Sequence, residues 1–174
     1  MKQLALSLLL VGGVACSGRP AATTADSAGT PAPRTAALDS GSAPAVTLER
    51  TPCYGTCPVY QLSISRDGTV RFVGKQHVAR QGAATASIPP AVVDSLVSEL
   101  ETGGYFGFDE RYLRGAPGCG RYATDSPTVI TSLAADGRSR EIRHDHGCHA
   151  APPELAQLER RIDEVAGTAR WTGN

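Results

Sequence analysis

Tyr60-Gln61-Leu62-Ser63-Ile64-Ser65-Arg66-Asp67-Gly68-Thr69-Val70-Arg71-Phe72 decides the fold. Large apolar side chains stand at 60, 62 and 64 and again at 70 and 72. This period of two puts one face of a strand in a core and the other in water. Between the two runs, Asp67 and Gly68 can both take the positive φ angles of a tight hairpin turn, so antiparallel pairing is expected. Val46 and Leu48, upstream, extend the alternation to a further strand.

Downstream, a short strand at 85–88 ends at Pro89-Pro90, where the second proline suits a first helical turn because its missing N–H is not needed there. Val92, Val93, Leu96, Val97 and Leu100 then make one apolar helix face, and Gly103-Gly104 supply the stop. Tyr105, Phe106 and Phe108 lead into a Gly/Pro/Arg-rich ordered loop that runs to Cys119. A second hairpin, 128–134 with 139–146, turns at Asp136-Gly137. Pro152-Pro153 next precedes a helix with the stripe Leu155, Leu158, Ile162, Val165 and Ala169. The order of hairpin, proline pair and amphipathic helix thus occurs twice. Either duplication or common turn and helix-start chemistry produces such a layout. The expected class is α+β: an antiparallel β-sheet with two amphipathic helices packed on one face, in a single domain over 45–174. About 130 residues suffice for that core.

The 174 residues carry 17 Lys+Arg against 17 Asp+Glu. Nucleic-acid binders normally carry a basic footprint, and neither that nor a zinc-finger spacing is present, so nucleic acid is not an expected partner. The opening MKQLALSLLLVGGVAC has Lys2, an apolar run from Leu4 to Ala15 and small residues before Cys16. A run of about 12 residues is too short for a bilayer core that needs about 20, so 1–15 reads as an export signal rather than a span. Gly13-Val14-Ala15-Cys16 resembles a bacterial lipoprotein processing box, with Gly13 where an aliphatic residue is more usual. The expected product carries acyl chains on Cys16 and partners a membrane through them, since two or more chains anchor stably. Ser17 stands where inner-membrane retention would call for Asp, which favours an outer membrane facing the periplasm of a bacterial cell envelope. From 16 to 44 the chain is Ala, Ser, Thr, Gly and Pro with few charges, a composition too poor in apolar side chains to repay ordering. It reads as a disordered tether.

Cys16 being used by lipid, Cys53, Cys57, Cys119 and Cys148 remain, an even number in an oxidising compartment. Three connectivities are open, and Cys53–Cys57 with Cys119–Cys148 is the favoured one. The rival is a soft-metal site with Cys53, Cys57, Cys148 and His149 as ligands and His144 and His146 nearby. Cys53-x-x-x-Cys57 lacks a compact second ligand pair, and no cofactor is expected. His144 and His146 stand two apart on a strand and share a face, with Asp145 on the other; His77 reads as a solvent-facing strand residue.

No catalytic pattern is complete. The cysteine pair has three intervening residues and is followed by Pro58 and a strand, unlike a redox pair at a helix start. Asp109 and Glu110 could serve a cation or acid/base chemistry, and loop capping explains them as well. The chain has no glycine-rich phosphate loop, no Gly-x-Ser-x-Gly elbow and no His-Glu-x-x-His helix.

Thr47-Leu48-Glu49-Arg50-Thr51-Pro52-Cys53-Tyr54-Gly55-Thr56-Cys57-Pro58-Val59-Tyr60, with Asp67-Gly68-Thr69-Val70 after it, resembles the opening of a bacterial family catalogued as domain of unknown function 6438. Gly104-Tyr105-Phe106, Thr124-Asp125-Ser126-Pro127-Thr128, Gly147-Cys148 and the stretch 158–171 resemble its later landmarks, so the likeness covers 45–172. The resemblance implies an exported or lipid-anchored domain and carries no activity, substrate or catalytic residue. Two function classes follow. One is a non-catalytic structural or binding domain on its tether, meeting an envelope protein or a cell-wall component through Tyr54, Asp109, Arg111, Tyr112, His144 and His146. The other is a metal-binding or thiol-redox protein that uses the Cys/His cluster. Loops are disproportionately used for binding, which favours the first.

Overall fold

The computed structural model describes residues 43–173. The expected signal segment 1–15, Cys16 and the expected tether up to residue 42 lie outside the described residues. Seven strands form one sheet: β1 (Pro44–Arg50), β2 (Val59–Ser65), β3 (Thr69–Gln76), β4 (Gly82–Ser87), β5 (Arg111–Tyr112), β6 (Thr128–Ala135) and β7 (Arg138–Asp145). Their spatial order is β4-β3-β2-β1-β6-β7-β5. All neighbours are antiparallel except β5, which runs parallel to β7 through Arg111 opposite Arg143 and Tyr112 opposite His144. The class is α+β, as expected. The parallel edge pair was not expected, because two residues inside a Gly/Pro/Arg-rich loop are too few to show an alternation.

The two hairpins differ in their turns. At Asp136-Gly137 both residues have positive φ (50° and 72°), the mirror-image turn whose twist suits a two-residue hairpin. At Arg66-Asp67-Gly68 only Gly68 does (87°), so three residues turn with a single left-handed glycine, and Gly68 N–H donates to Ser65 C=O at 3.0 Å. The expected pair of positive angles at Asp67-Gly68 is thereby corrected. His77, expected on a strand, lies exposed in the bend after β3, itself at φ 52°.

Alternation sends Val46, Leu48, Tyr60, Leu62, Ile64, Val70, Phe72, Val129, Leu133 and Ile142 into the core, all buried. Two helices cover that face. In α1 (Pro90–Thr102) Pro90 opens the first turn and Val93, Leu96, Val97 and Leu100 are buried. In α2 (Pro153–Ala166) the buried residues are Leu155, Glu159, Ile162 and Ala166. Gly167, left-handed at φ 66°, ends α2 before Ala169, so the stripe expected to run through Ala169 breaks and a short α3 (Ala169–Thr172) follows. There Trp171 stacks on Phe72 with centroids 4.8 Å apart. Fully burying a side chain of this kind contributes roughly 1.5–3 kcal/mol each, so the shared layer rather than any single pair holds the elements together. Among the described residues no helix is long and apolar enough to cross a membrane.

Strand register fixes the two ends of the sheet. Pro44 lies opposite Ser65, and Ala135 opposite Arg138, so the start of β1 and both Asp-Gly turns share one end. Arg50 lies opposite Tyr60 and Val129, which puts the loops 51–58, 121–127 and 146–152 at the other. α1 crosses the turn end, where Arg66 pairs with Asp94 and Arg138 with Glu101. α2 crosses back over the loop end, and Arg161 bridges to Glu99 of α1.

Candidate functional site

Both disulfides lie at the loop end. Cys53 bonds Cys57 and closes the β1–β2 loop; Cys119 bonds Cys148 and fastens the turn after β5 to the chain leaving β7. This is the favoured pairing. Backbone bonds join the loops to one another: Tyr54 N–H donates to Asp125 C=O (3.1 Å), His146 N–H to Pro127 C=O (3.0 Å) and Ala150 N–H to Cys119 C=O (3.1 Å). Because all four domain sulfurs are spent in disulfides, the metal set Cys53, Cys57, Cys148 and His149 has no thiolate to offer and does not assemble. A Cys–His nucleophile within the domain lacks a free thiol for the same reason.

Of the expected binding surface, Tyr54 is 89% exposed at the tip of the Cys53–Cys57 loop, and Asp109 and Arg111 are exposed as well. Asp109, Arg111, Arg114 and Arg140 line an open groove of about 750 Å³. Tyr112 and His144 are instead buried, which corrects their assignment to the surface. The Tyr112 hydroxyl accepts the Asp109 N–H at 3.0 Å, and its ring stands edge-on to His144. His146 keeps a third of its side chain exposed.

His144, on β7, and His146, just past its end, do share a face, and what they share is Glu159. Glu159 Oε1 lies 2.8 Å from His144 Nδ1, and Oε2 lies 2.8 Å from His146 Nε2. The carboxylate accepts from both rings when His144 carries its proton on Nδ1 and His146 on Nε2. Glu159 is only 1% exposed. Burial pushes its carboxyl pKa up, but the two imidazole hydrogen bonds and their charge outweigh it and hold the carboxyl below its ordinary value. Asp145, between the two histidines, turns the other way and accepts from Tyr122 Oη (3.0 Å) and Gly147 N–H (2.8 Å).

One turn along α2, Asp163 reaches the same sheet end. Its Oδ2 accepts from Arg50 Nε (2.9 Å) and Nη2 (2.6 Å), and its Oδ1 from Tyr60 Oη (2.6 Å). Burial and the neighbouring Asp163 charge push the Tyr60 phenol far above its usual range. Reading the sequence missed both carboxylates. For Glu159 the available signal was the spacing 155, 159, 162, 166, an unbroken helical stripe with Glu in second place; Asp163, beside that stripe, carried none. A charge inside a buried stripe asks for a partner.

Residues 44–166, more than half of the chain, match a family whose description is Domain of unknown function (DUF6438). The chain belongs to that family. No curated protein matches the chain. The DUF6438 match begins at the first residue of β1 and ends at the last of α2, so it spans the whole sheet, both disulfides and all three members of the His144–His146–Glu159 cluster.

Proposed function

We propose that the chain is an envelope lipoprotein whose DUF6438 domain is a non-catalytic structural or binding module, carried on the 16–44 tether and held at a membrane by lipid on Cys16. The partner is an envelope protein or a cell-wall component, and the compartment is the periplasmic side of a bacterial outer membrane. One observation carries this reading: the chain enters β1 at the turn end, while every disulfide-tied loop lies at the opposite end. The six steps between the seven residues of β1, at about 3.4 Å each, set the two ends roughly 20 Å apart. A module tethered through Pro44 would therefore hold Tyr54 and its neighbouring loops away from the anchor. Two disulfides would keep those loops in one shape, which lowers the ordering cost of binding.

The test uses the full chain in cells, with a photo-crosslinking amino acid in place of Tyr54 or, as a control at the turn end, Asp136. A discrete adduct from position 54 and none from 136 is expected. Equal adducts from both positions overturn the display of the loop end. In parallel, Cys16→Ser should move the protein from the membrane fraction to the soluble one, and an unchanged fractionation removes the anchor.

A further inference from the structure

We infer that His144, His146 and Glu159 form a binding site for one divalent transition-metal ion, with zinc the first ion to test. Three observations meet there. One ring nitrogen of His144, one of His146 and a Glu159 carboxylate oxygen lie within 4.8 Å of one another. The ligand types, two imidazoles and one carboxylate, are those that three-coordinate protein sites offer zinc and the neighbouring first-row ions. The third observation is burial. Glu159 is sealed at 1% exposure and the His144 side chain at 7%, while His146 is open at 33%, so the cluster has a rigid floor and one side facing solvent.

The ion needs a local rearrangement of the three side chains. Zinc takes nitrogen at about 2.0–2.1 Å and carboxylate oxygen at about 2.0–2.2 Å, so tetrahedral ligands sit roughly 3.3 Å from one another. The two present nitrogen–oxygen separations are 2.8 Å. These run to different carboxylate oxygens, Oε1 for His144 and Oε2 for His146, so an ion held by one oxygen requires the Glu159 carboxylate to turn as well as His146, partly exposed just past β7, to shift. On binding, the proton on His144 Nδ1 is replaced by one on Nε2, and that on His146 Nε2 by one on Nδ1. Each ring then carries a single proton on the side away from the ion and turns its lone pair to it. The single negative charge of Glu159 then faces a double positive charge, and the remaining coordination position goes to water from the His146 side.

The fold supports this arrangement. Two histidines at i and i+2 leave β7 on one face, and a helix crossing that end brings the carboxylate down between them. Cys148, two positions after His146, is bonded to Cys119, which holds the chain leaving β7. Tyr112 stands against the His144 ring from β5. An ion here would clamp α2 to β7 at the loop end. This role is independent of the display of the loop end to a partner.

The test is metal content and thermal stability of the full chain with its disulfides intact, first stripped with EDTA and then dialysed against zinc. One zinc per chain and a rise in Tm that grows with zinc concentration are expected. Cobalt in place of zinc should give visible d–d bands of low coordination number. Glu159→Gln keeps both hydrogen bonds, since its oxygen accepts from one ring and its amide donates to the other, so it tests charge and ligation without emptying the core. His146→Ala tests the solvent-side ligand. Each should weaken zinc by more than the roughly 10–100-fold that loss of an outer-shell partner costs. The pair His77→Ala and His149→Ala should leave binding intact. The inference is overturned if the native chain retains no zinc and shows no Tm rise. It is equally overturned if Glu159→Gln and His146→Ala bind as the native chain does, or if binding follows His77 and His149.

Discussion

Arg50 Nη2 and Asp163 Oδ2 meet at 2.6 Å although 113 positions of chain separate them. Arg50 ends β1, Asp163 lies on α2, and both side chains are more than four-fifths covered, at 19% and 16% exposure. Asp163 also takes the Tyr60 hydroxyl, so one carboxylate satisfies three donors. Asp163→Ala would leave the Tyr60 hydroxyl proton without an acceptor and the Arg50 guanidinium with only the Tyr60 oxygen, 3.0 Å from Nε. The expected loss is at most about 3–5 kcal/mol, the range for breaking a fully buried ion pair from one side, read as a lower urea midpoint at unchanged slope. Arg50→Ala with Asp163→Ala should cost less than the two single losses added together, and a sum that is simply additive contradicts the network.

On the open face of the sheet, Gln61 Nε2 donates to Glu49 at 3.0 Å and Lys75 Nζ at 2.9 Å. The Gln61 hydrogen bond, opposed by partial burial and aided by Lys75, holds the Glu49 carboxyl below its ordinary value of 4.5. A depressed folded value means that the stabilising effect is full above the ordinary value and fades as pH falls through the lower one. Gln61→Ala should raise the Glu49 midpoint followed by carboxyl NMR and shrink that acid-side loss of stability. An unmoved midpoint would show that Gln61 is not the controlling partner.

The two disulfides should behave differently. In the chain-entropy account, a link across 29 positions stabilises by about 3.6 kcal/mol and one across four by about 2 kcal/mol, where strain is small. Cys119 and Cys148 are also buried, at 1% and 4% exposure, whereas Cys53 and Cys57 sit half-buried beside the exposed Tyr54. Mild reduction followed by thiol labelling and mass mapping should therefore tag Cys53 and Cys57 first. Removing Cys119–Cys148 by a double Ala replacement should lower the urea midpoint more than removing Cys53–Cys57 does.

These contrasts separate what the sequence can express from what it cannot. The period of two in 60–72 and the Asp-Gly turns specify local pairing, and the strands lie where the alternation puts them. A proline pair before an apolar stripe specifies a helix start, and both helices begin there. Two things were not local. β5 is two residues long, and its partner is more than thirty positions away, so nothing within Arg111-Tyr112 marks it as a strand. Asp163 reads as an ordinary polar helix position, and Glu159 as a charge in an apolar stripe with no partner in view, until α2 is laid across the sheet and their partners turn out to be Arg50 and Tyr60, and His144 and His146. The surface assignment of His144 and Tyr112 fails for the same reason: a polar tip suggests exposure, whereas both side chains face groups that satisfy or cover them.

Two glycines at opposite ends of the sheet should respond to alanine by different mechanisms. Gly137, in the β6–β7 turn, has φ 72° and open space where a Cβ would stand, so Gly137→Ala costs only the left-handed backbone, about 1–2 kcal/mol. At Gly147, a Cβ would stand 2.0 Å from the Ala123 carbonyl oxygen. That close approach exists because Ala123 N–H donates to Gly147 C=O at 2.8 Å, holding loop 121–127 against the chain that leaves β7. Gly147→Ala must push the loop away and weaken the Tyr122–Asp145 bond with it. A loss above that of Gly137→Ala is expected, with amide chemical-shift changes concentrated in 121–127 and 144–150. Shifts of similar size at the Asp136 turn would mean that the two ends are not mechanically separate.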